Sequence, residues 1–337
     1  TILVRVPAAY RQPDTRFPVI YMLDAHPPQN AMMAGLVEQQ AWGGVIPEMI
    51  IVGIQNTNRT RDLTPTKTDR AGTGGGDRFL DFIEKEVIPL VEKNYRTQPF
   101  RIFAGHSLGG LTAVYALASR PGLFNAYIAA SPVLHWDDSF PIKRTEEALK
   151  QNRDWNATLF AAIGDEPDYV KGFNSFQSLL KKSNPKRFEY EFQVFKNENH
   201  GSVVLPTYFA GLRKIFSGWA PSSSITVTEL EGHYQKLSQR FGYAIPVPED
   251  IQNRAGYALL QANRIDEAMT FFKKNAENFP KSPNVYDSLG EAYEKNGQFK
   301  QAAQNYEKAY KLAESRGETQ LAQTYKTNLE RVGQKIK

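Results

Sequence analysis

The stretch RIFAGHSLGGLTAVY, residues 101–115, decides the fold class of this chain. Its first four residues form a short, mainly apolar strand, and a helix is expected over Leu108–Ser119. Between them lies the turn Gly105-His106-Ser107-Leu108-Gly109, in which a glycine two residues either side of the serine lets strand and helix pass closely. A Gly-x-Ser-x-Gly turn in this setting is typical of a nucleophile elbow, so Ser107 is the predicted nucleophile. The Leu108 N–H, at the positive end of the helix dipole, is a predicted oxyanion donor.

Apolar runs alternate with helical patterns over residues 1–220, which predicts an α/β fold. We expect a doubly wound, mostly parallel sheet of the α/β-hydrolase type, with helices on both faces. A helix is predicted over Asp77–Glu92, with a kink at Pro89 in its last turn. The predicted strands are Val19–Leu23, Ile50–Ile54, Arg101–Ala104, Ala126–Ala130, Leu159–Ile163 and Phe188–Phe195.

The last third of the chain is helical throughout and repeats itself after a shift of 34 residues, so that Gly256 aligns with Gly290. Small residues recur where helices approach closely, and large ones recur where they fill the space between helices. The period resembles two tetratricopeptide repeats, Asp250–Pro283 and Asn284–Gly317, closed by a capping helix over Glu318–Gln334.

The two patterns together predict the domain organisation. Residues 1–220 are the expected catalytic domain, and residues 250–337 are the expected tetratricopeptide-like helical domain. Residues 221–249 form the linker, with a helix predicted over Thr228–Arg240. A homodimer through the helical region is an expected assembly.

The base is expected to be a histidine that follows Ser107 in the chain. A serine hydroxyl needs a base within hydrogen-bond reach, and the chain order in this fold is serine, acid, histidine. Among His135, His200 and His233, His200 follows the last predicted strand and precedes a helix predicted over Val203–Phe216. In this fold the base lies in the loop after a late strand, so His200 is the predicted base. His135 is a candidate for the lining of the pocket.

The acid that orients the imidazole should lie at the carboxyl end of the strand before the base's strand. That strand ends at Ile163 and leads into Asp165-Glu166-Pro167-Asp168. Glu166 is preferred slightly over Asp165, and Asp168 comes third. If none of the three serves as the acid, the serine and the histidine work as a dyad.

The second oxyanion donor normally comes from the loop after an earlier strand. Val19–Leu23 leads into Asp24-Ala25-His26, so the backbone of Ala25 or His26 is the candidate. Chemistry built on a serine, a base and oxyanion donors requires no metal and no cofactor.

Short segments spread over most of residues 1–217 carry a family resemblance. They are PVIYMLD (18–24), RTRDLTPT (59–66), GHSLGGL (105–111), ASPVLHW (130–136) and NHGSV (199–203). Together they resemble the esterase D-like family of α/β-hydrolases, which includes siderophore (enterochelin) esterases, feruloyl esterases, S-formylglutathione hydrolases and mycolyltransferases. The Arg-Asp-Leu-Thr-Pro and Ser-Pro segments are similar to the siderophore-esterase subgroup. Relatives usually have glycine and a second aromatic residue where this chain has Ala25 and His135.

The resemblance implies hydrolysis of a carboxylic ester or lactone through an acyl-enzyme, with a siderophore trilactone as the most specific substrate. It also implies that Arg61 and Trp136 lie near the active site, where a guanidinium can hold an anionic substrate and an indole can form an aromatic wall. The alternatives are an ion pair of Arg61 with Asp62 and ordinary core packing of Trp136. Other functions left open are an acyltransferase on the same scaffold and a helical-repeat binding module.

Bulk composition excludes several classes. The net charge of +5 comes from 41 basic and 36 acidic residues without a long Lys/Arg run, so nucleic acid is not an expected partner. No run reaches about 18 apolar residues, so no transmembrane helix is expected, and the absence of cysteine excludes disulfides and thiolate catalysis. The chain starts at Thr1 without an initiator Met, so we expect an upstream segment that has been removed or left out, a secretory signal being one candidate. A periplasmic or secreted location is therefore favoured over a cytoplasmic one.

Overall fold

The computed structural model describes residues 1–222 and 226–336. Residues 223–225 of the expected linker and Lys337 of the expected helical domain lie outside the described residues. The chain divides into two compact units, Thr1–Ala220 and Pro221–Lys337. None of the helices in the described parts of the chain combines the length and the apolar character that a bilayer crossing requires.

A seven-stranded sheet forms the centre of the first unit. The strands are β1 (Ile2–Arg5), β2 (Phe17–Leu23), β3 (Ile50–Ile54), β4 (Thr97–His106), β5 (Ala126–Ala130), β6 (Asp154–Ile163) and β7 (Lys186–Val194). Their order across the sheet is β1-β3-β2-β4-β5-β6-β7. Every pair is parallel except β1 with β3. Each predicted strand is present, and the mostly parallel sheet is confirmed.

Helices cover both faces of this sheet. They are α1 (Pro27–Trp42), α2 (Arg59–Asp62), α3 (Gly76–Phe82), α4 (Ile88–Asn94), α5 (Leu108–Ser119), α6 (Trp136–Gln151), α7 (Pro167–Ser183) and α8 (Val204–Ile215). Side chains alternate across a strand, and in β5 Tyr127 and Ala129 join the core formed with α5. Ile128 points to the other face, where a Cβ on Gly211 of α8 would lie 2.9 Å from its side chain. The doubly wound arrangement is therefore confirmed.

The helix predicted over Asp77–Glu92 is present, but it contains a π-helical turn. This turn, Ile83–Val87, separates α3 from α4. Pro89 lacks an N–H, and its ring would collide with the carbonyl of Lys85 in a regular α-helix. The wider π turn gives the ring room. The distortion therefore lies in the turn before the proline and not in the last turn of the helix, where the kink was expected.

The second unit begins with a well-capped helix, α9 (Val227–Phe241). Thr226 and Glu229 form a reciprocal capping box at its N-terminus, and Gly242 ends it in the left-handed conformation. The helix predicted over Thr228–Arg240 is confirmed.

The remaining helices form the predicted repeats. They are α10 (Glu249–Gln261), α11 (Ile265–Asn278), α12 (Pro283–Lys295), α13 (Phe299–Ser315) and α14 (Thr319–Gly333). A Cβ on Gly256 would lie 2.8 Å from the ring of Phe272, and a Cβ on Gly290 would lie 2.8 Å from the ring of Tyr306. Both members of the contact recur after a shift of 34 residues. The same glycine–aromatic contact therefore joins α10 to α11 and α12 to α13. Helix α14 occupies the place of the predicted capping helix.

Candidate active site

Ser107 lies in a strained turn between β4 and α5. Its backbone has φ 60° and ψ −114°, a conformation that costs a residue with a side chain about 1–3 kcal/mol. The Ser107 N–H donates to the Ala130 carbonyl of β5 at 2.9 Å, which helps to hold the turn. A Cβ on Gly105 would lie 2.3 Å from the backbone of Gly109, so only glycine fits there. The turn has the geometry expected of a nucleophile elbow.

A histidine and a carboxylate meet beside the elbow. Glu166 follows β6 at the start of α7, and His200 lies in the loop between β7 and α8. The Nδ1 of His200 is 2.5 Å from the Glu166 Oε1. The glutamate side chain is 6% exposed and the histidine side chain 39% exposed, so solvent screens the pair only in part. The contact leaves Nε2 as the ring nitrogen available for proton transfer.

The buried carboxylate of Glu166 is held by two further donors. The Ser131 hydroxyl and the Gly164 N–H both donate to its Oε2, the second at 2.9 Å. Burial alone would raise the pKa of Glu166, but the hydrogen bonds from Ser131, Gly164 and His200 outweigh burial and hold this pKa below its ordinary value. Glu166 is therefore ionised at neutral pH. Sequence reasoning missed Ser131, although the Ser-Pro step directly after β5 was a visible signal.

The other two carboxylates of this turn have different partners or positions. Asp165 is exposed, and its Oδ2 accepts the Asn197 N–H at 2.6 Å. The Asp165 N–H donates to the Glu198 carbonyl at 2.7 Å. Asp168 is exposed in the first turn of α7. Of the three candidate acids, the structure brings Glu166 to His200, while Asp165 ties the loop that carries His200 to the end of β6.

The residue before the nucleophile also contacts His200. The His106 Nε2 is 2.7 Å from the His200 carbonyl oxygen, and the two ring centroids are 4.6 Å apart. Burial and the neighbouring His200 ring lower the pKa of His106, so the ring is neutral and donates its Nε2 hydrogen to that carbonyl. His106 thus holds the backbone of the histidine loop against the elbow. The variable position inside the Gly-x-Ser-x-Gly motif gave no signal for this contact.

Tyr169, in the first turn of α7, is a further side chain that the sequence did not single out. Its phenol lies close enough to the Ser107 side chain for that side chain to lower the pKa of Tyr169, although burial raises this pKa overall. Its ring centroid is 5.0 Å from that of His200 and 5.3 Å from that of His135. The exposed His135 therefore contacts the same tyrosine ring as His200.

The candidate oxyanion donors differ in availability. Leu108 is the first residue of α5, and the first N–H groups of a helix have no partner within it. The Ala25 N–H donates weakly to the Ile54 carbonyl at 3.4 Å, and the His26 N–H donates to the Asp24 carbonyl at 2.8 Å. Leu108 thus has the free N–H, whereas the N–H groups of Ala25 and His26 are directed to carbonyls of the chain.

Arg59 links the loop that follows β2 to the nucleophile elbow. Its guanidinium forms two hydrogen bonds with the Asp24 carboxylate, at 2.6 and 2.8 Å, and a third with the His106 carbonyl at 3.3 Å. Arg59 is half-buried, so the bidentate pair is partly shielded from solvent.

The two residues that the family resemblance added have different partners. The Arg61 guanidinium pairs with Asp62 at 2.7 Å and lines a cavity of about 800 Å³ formed by described residues between Thr1 and Phe82. Neither the elbow nor His200 belongs to that lining. Trp136 is half-buried at the start of α6, and its Nε1 donates to the Thr66 hydroxyl at 3.0 Å.

The family model Esterase, described as "Putative esterase", matches residues 1–190, which is more than half of the chain. The chain belongs to this family. A tetratricopeptide repeat model matches residues 283–316. With a serine on a nucleophile elbow, family membership makes the chain a serine-dependent carboxylic ester hydrolase.

Named relatives agree with the family. The chain is 30% identical over 221 residues to "Ferri-bacillibactin esterase BesA" of Bacillus subtilis, covering 57% of this chain and 76% of the relative. It is 32% identical over 165 residues to "Siderophore triacetylfusarinine C esterase" of Aspergillus fumigatus, covering 44% of this chain and 56% of the relative. The crystal structure of an IroE-like serine hydrolase from Shewanella oneidensis superposes with a TM-score of 0.73 at 30% identity, covering 82% of this chain and 94% of that one.

Proposed function

We propose that Ser107, His200 and Glu166 form the catalytic triad of this ester hydrolase. The observation that carries the proposal is the 2.5 Å contact between the His200 Nδ1 and the Glu166 carboxylate. An ionised carboxylate at Nδ1 fixes the hydrogen there and leaves Nε2 unprotonated, which is the tautomer a base needs.

The reaction then follows from the positions of these groups. Ser107 Oγ attacks the ester carbonyl carbon while the His200 Nε2 takes its proton, and the Leu108 N–H donates to the oxyanion. Collapse of the tetrahedral intermediate breaks the ester C–O bond, and His200 returns the proton to the departing oxygen. Water then attacks the acyl-enzyme by the same steps: His200 takes its proton, the Leu108 N–H donates to the oxyanion, and the proton returns to the Ser107 Oγ. Glu166 stabilises the imidazolium in both halves of the reaction.

For the substrate, we propose an ester or lactone of the siderophore type. Two relatives are named as esterases of ferri-bacillibactin and of the siderophore triacetylfusarinine C. The site suits a bulky substrate, since Ser107 is half-buried and His135 is exposed. The rings of His135 and Tyr169 offer aromatic surface for planar iron-chelating groups, whereas Trp136 packs against the core.

The test is a substrate panel run on the wild type and on Ser107→Ala. It contains p-nitrophenyl esters and catecholate trilactones, the latter with and without iron. We expect the wild type to cleave both classes and Ser107→Ala to fall to the background rate, while the matched control Ser183→Ala at the end of α7 keeps full activity. Turnover by Ser107→Ala would overturn the nucleophile, and a wild type that cleaves only p-nitrophenyl esters would overturn the substrate class.

The domain division and the assembly are further proposals. Residues 1–220 act as the catalytic domain, residues 221–249 as the linker, and residues 250–337 as a helical domain through which two chains pair. The exposed Leu321 on α14 is an apolar group available to such a contact. Nucleic acid is not an expected partner. Sedimentation of the full chain checks the pairing, and a monomer at every concentration would contradict it.

A further inference from the structure

Tyr169 is placed by the same turn that places the proposed acid. It lies three residues after Glu166, and its N–H donates to the Glu166 carbonyl at 2.9 Å. Its ring contacts two imidazoles, at centroid distances of 5.3 Å from His135 and 5.0 Å from His200. These contacts limit the rotation of the ring, so the hydroxyl has a defined position relative to the proposed triad.

That hydroxyl lies close to the reacting atom, since the Ser107 side chain is near enough to lower the pKa of Tyr169. Burial and the nearby negative charge of Glu166 outweigh this effect and raise the pKa of Tyr169 above its ordinary value. The phenol therefore keeps its proton at every pH at which an ester hydrolase with a histidine base works, and it is a permanent hydrogen-bond donor.

The position of the Tyr169 ring separates it from the oxyanion donors. In the proposed mechanism the carbonyl oxygen turns towards the Leu108 N–H at the start of α5. The departing oxygen lies on the opposite side, next to the His200 Nε2 from which it takes its proton. The ring centroid of Tyr169 is 5.0 Å from that of His200, the residue that protonates the departing oxygen in the proposed mechanism.

We propose that Tyr169 is a further catalytic residue, whose phenol donates a hydrogen bond to the leaving oxygen of the ester. The inference rests on the proposed function of Ser107 and His200. As the tetrahedral intermediate collapses, the C–O bond breaks and its electron pair stays on the departing oxygen. The His200 imidazolium gives its Nε2 proton to that oxygen, while Tyr169 keeps its own proton and stabilises the charge before the transfer is complete.

The test compares two esters of one acid, p-nitrophenyl butyrate and ethyl butyrate, in Tyr169→Phe. The substitution removes the hydroxyl and keeps the ring. An alkoxide is a poor leaving group and needs assistance, whereas p-nitrophenolate departs without it. We expect kcat/KM for the ethyl ester to fall about 10- to 100-fold, the effect of one hydrogen bond to a charged group. The rate for the p-nitrophenyl ester and the KM of both esters should change little.

The ratio of the two rates in one sample does not depend on the fraction of folded enzyme, so a loss of stability cannot imitate the result. The matched control is Tyr190→Phe, a half-buried tyrosine on β7, which should leave the ratio unchanged. An equal loss for both esters, or no loss, would overturn the role of Tyr169 while an inactive Ser107→Ala still upheld the proposed function. Turnover by Ser107→Ala would instead overturn the proposed function itself.

Discussion

Replacing Glu166 by glutamine tests the proposed triad most directly, because the amide fits the same volume and changes only charge and hydrogen bonding. In the wild type, the Glu166 Oε2 accepts from the Ser131 hydroxyl and the Gly164 N–H, and its Oε1 lies against the His200 Nδ1. A carboxylate accepts on both oxygens. A glutamine accepts on one side only and donates on the other.

The orientation of the amide decides the magnitude of the effect. Leaving two buried donors unpaired costs about 1–3 kcal/mol each, so the glutamine oxygen should face Ser131 and Gly164. Its NH2 group then faces the His200 Nδ1, which must give up its hydrogen. The hydrogen moves to Nε2, and His200 can no longer accept the proton of Ser107. A triad with the wrong tautomer loses about 10⁴ in kcat, or about 5 kcal/mol of transition-state stabilisation.

The assay is steady-state hydrolysis of a p-nitrophenyl ester at neutral pH by Glu166→Gln and by the control Asp165→Asn. We expect the first variant to lose about four orders of magnitude in kcat, with KM little changed. Asp165→Asn should stay within about tenfold of the wild type, because its carboxylate accepts only an exposed backbone N–H. Glu166→Gln within about tenfold of the wild type would refute the triad and favour a dyad, and equal losses would refute the choice between the two carboxylates.

The other predictions concern the histidine loop, the elbow and the second unit. His106→Leu should lower kcat about tenfold because it removes the donor to the His200 carbonyl, whereas His106→Gln, whose amide can donate there, should retain most of it; steady-state kinetics compares the two. Gly105→Ala should cost about 3 kcal/mol of unfolding free energy in chemical denaturation, since its Cβ would lie 2.3 Å from backbone. Burial raises the pKa of Asp287, so its ionisation costs stability above the unfolded pKa of about 4. Asp287→Asn should therefore raise Tm at neutral pH, and this gain should vanish in melting curves recorded below that pH.

Features that depend on local sequence could be predicted. The elbow needs a strand, a helix and glycines within a few residues, and all of them stand in residues 101–115. The close contact of Gly256 with the next helix follows from periodicity alone, because the same contact recurs at Gly290. His200 could be chosen by chain order, because in this fold the loop after the last strand lies at the same edge of the sheet as the nucleophile elbow.

Features that depend on contacts between distant loops could not be predicted. His106 and the His200 carbonyl are separated by 94 positions, and Ser131 and Glu166 by 35. No local pattern marks such pairs, because what joins them is the convergence of strand ends at one edge of a parallel sheet. The contact between Tyr169 and Ser107 belongs to the same class.

The turn after β6 shows why the sequence separates Asp165 from Glu166 only slightly and why the two carboxylates differ in the fold. Asp165 and Glu166 are neighbours, and each is bonded to a different part of the loop that carries His200: Asp165 to its first residues, and Glu166 to the imidazole. Gly164 approaches the same loop so closely that a Cβ there would lie 2.3 Å from the Glu198 carbonyl oxygen. The backbone and Asp165 therefore hold the loop independently of the charge on Glu166. If Glu166→Gln loses activity, the loss must come from the state of the imidazole, because the loop that carries it keeps its other anchors.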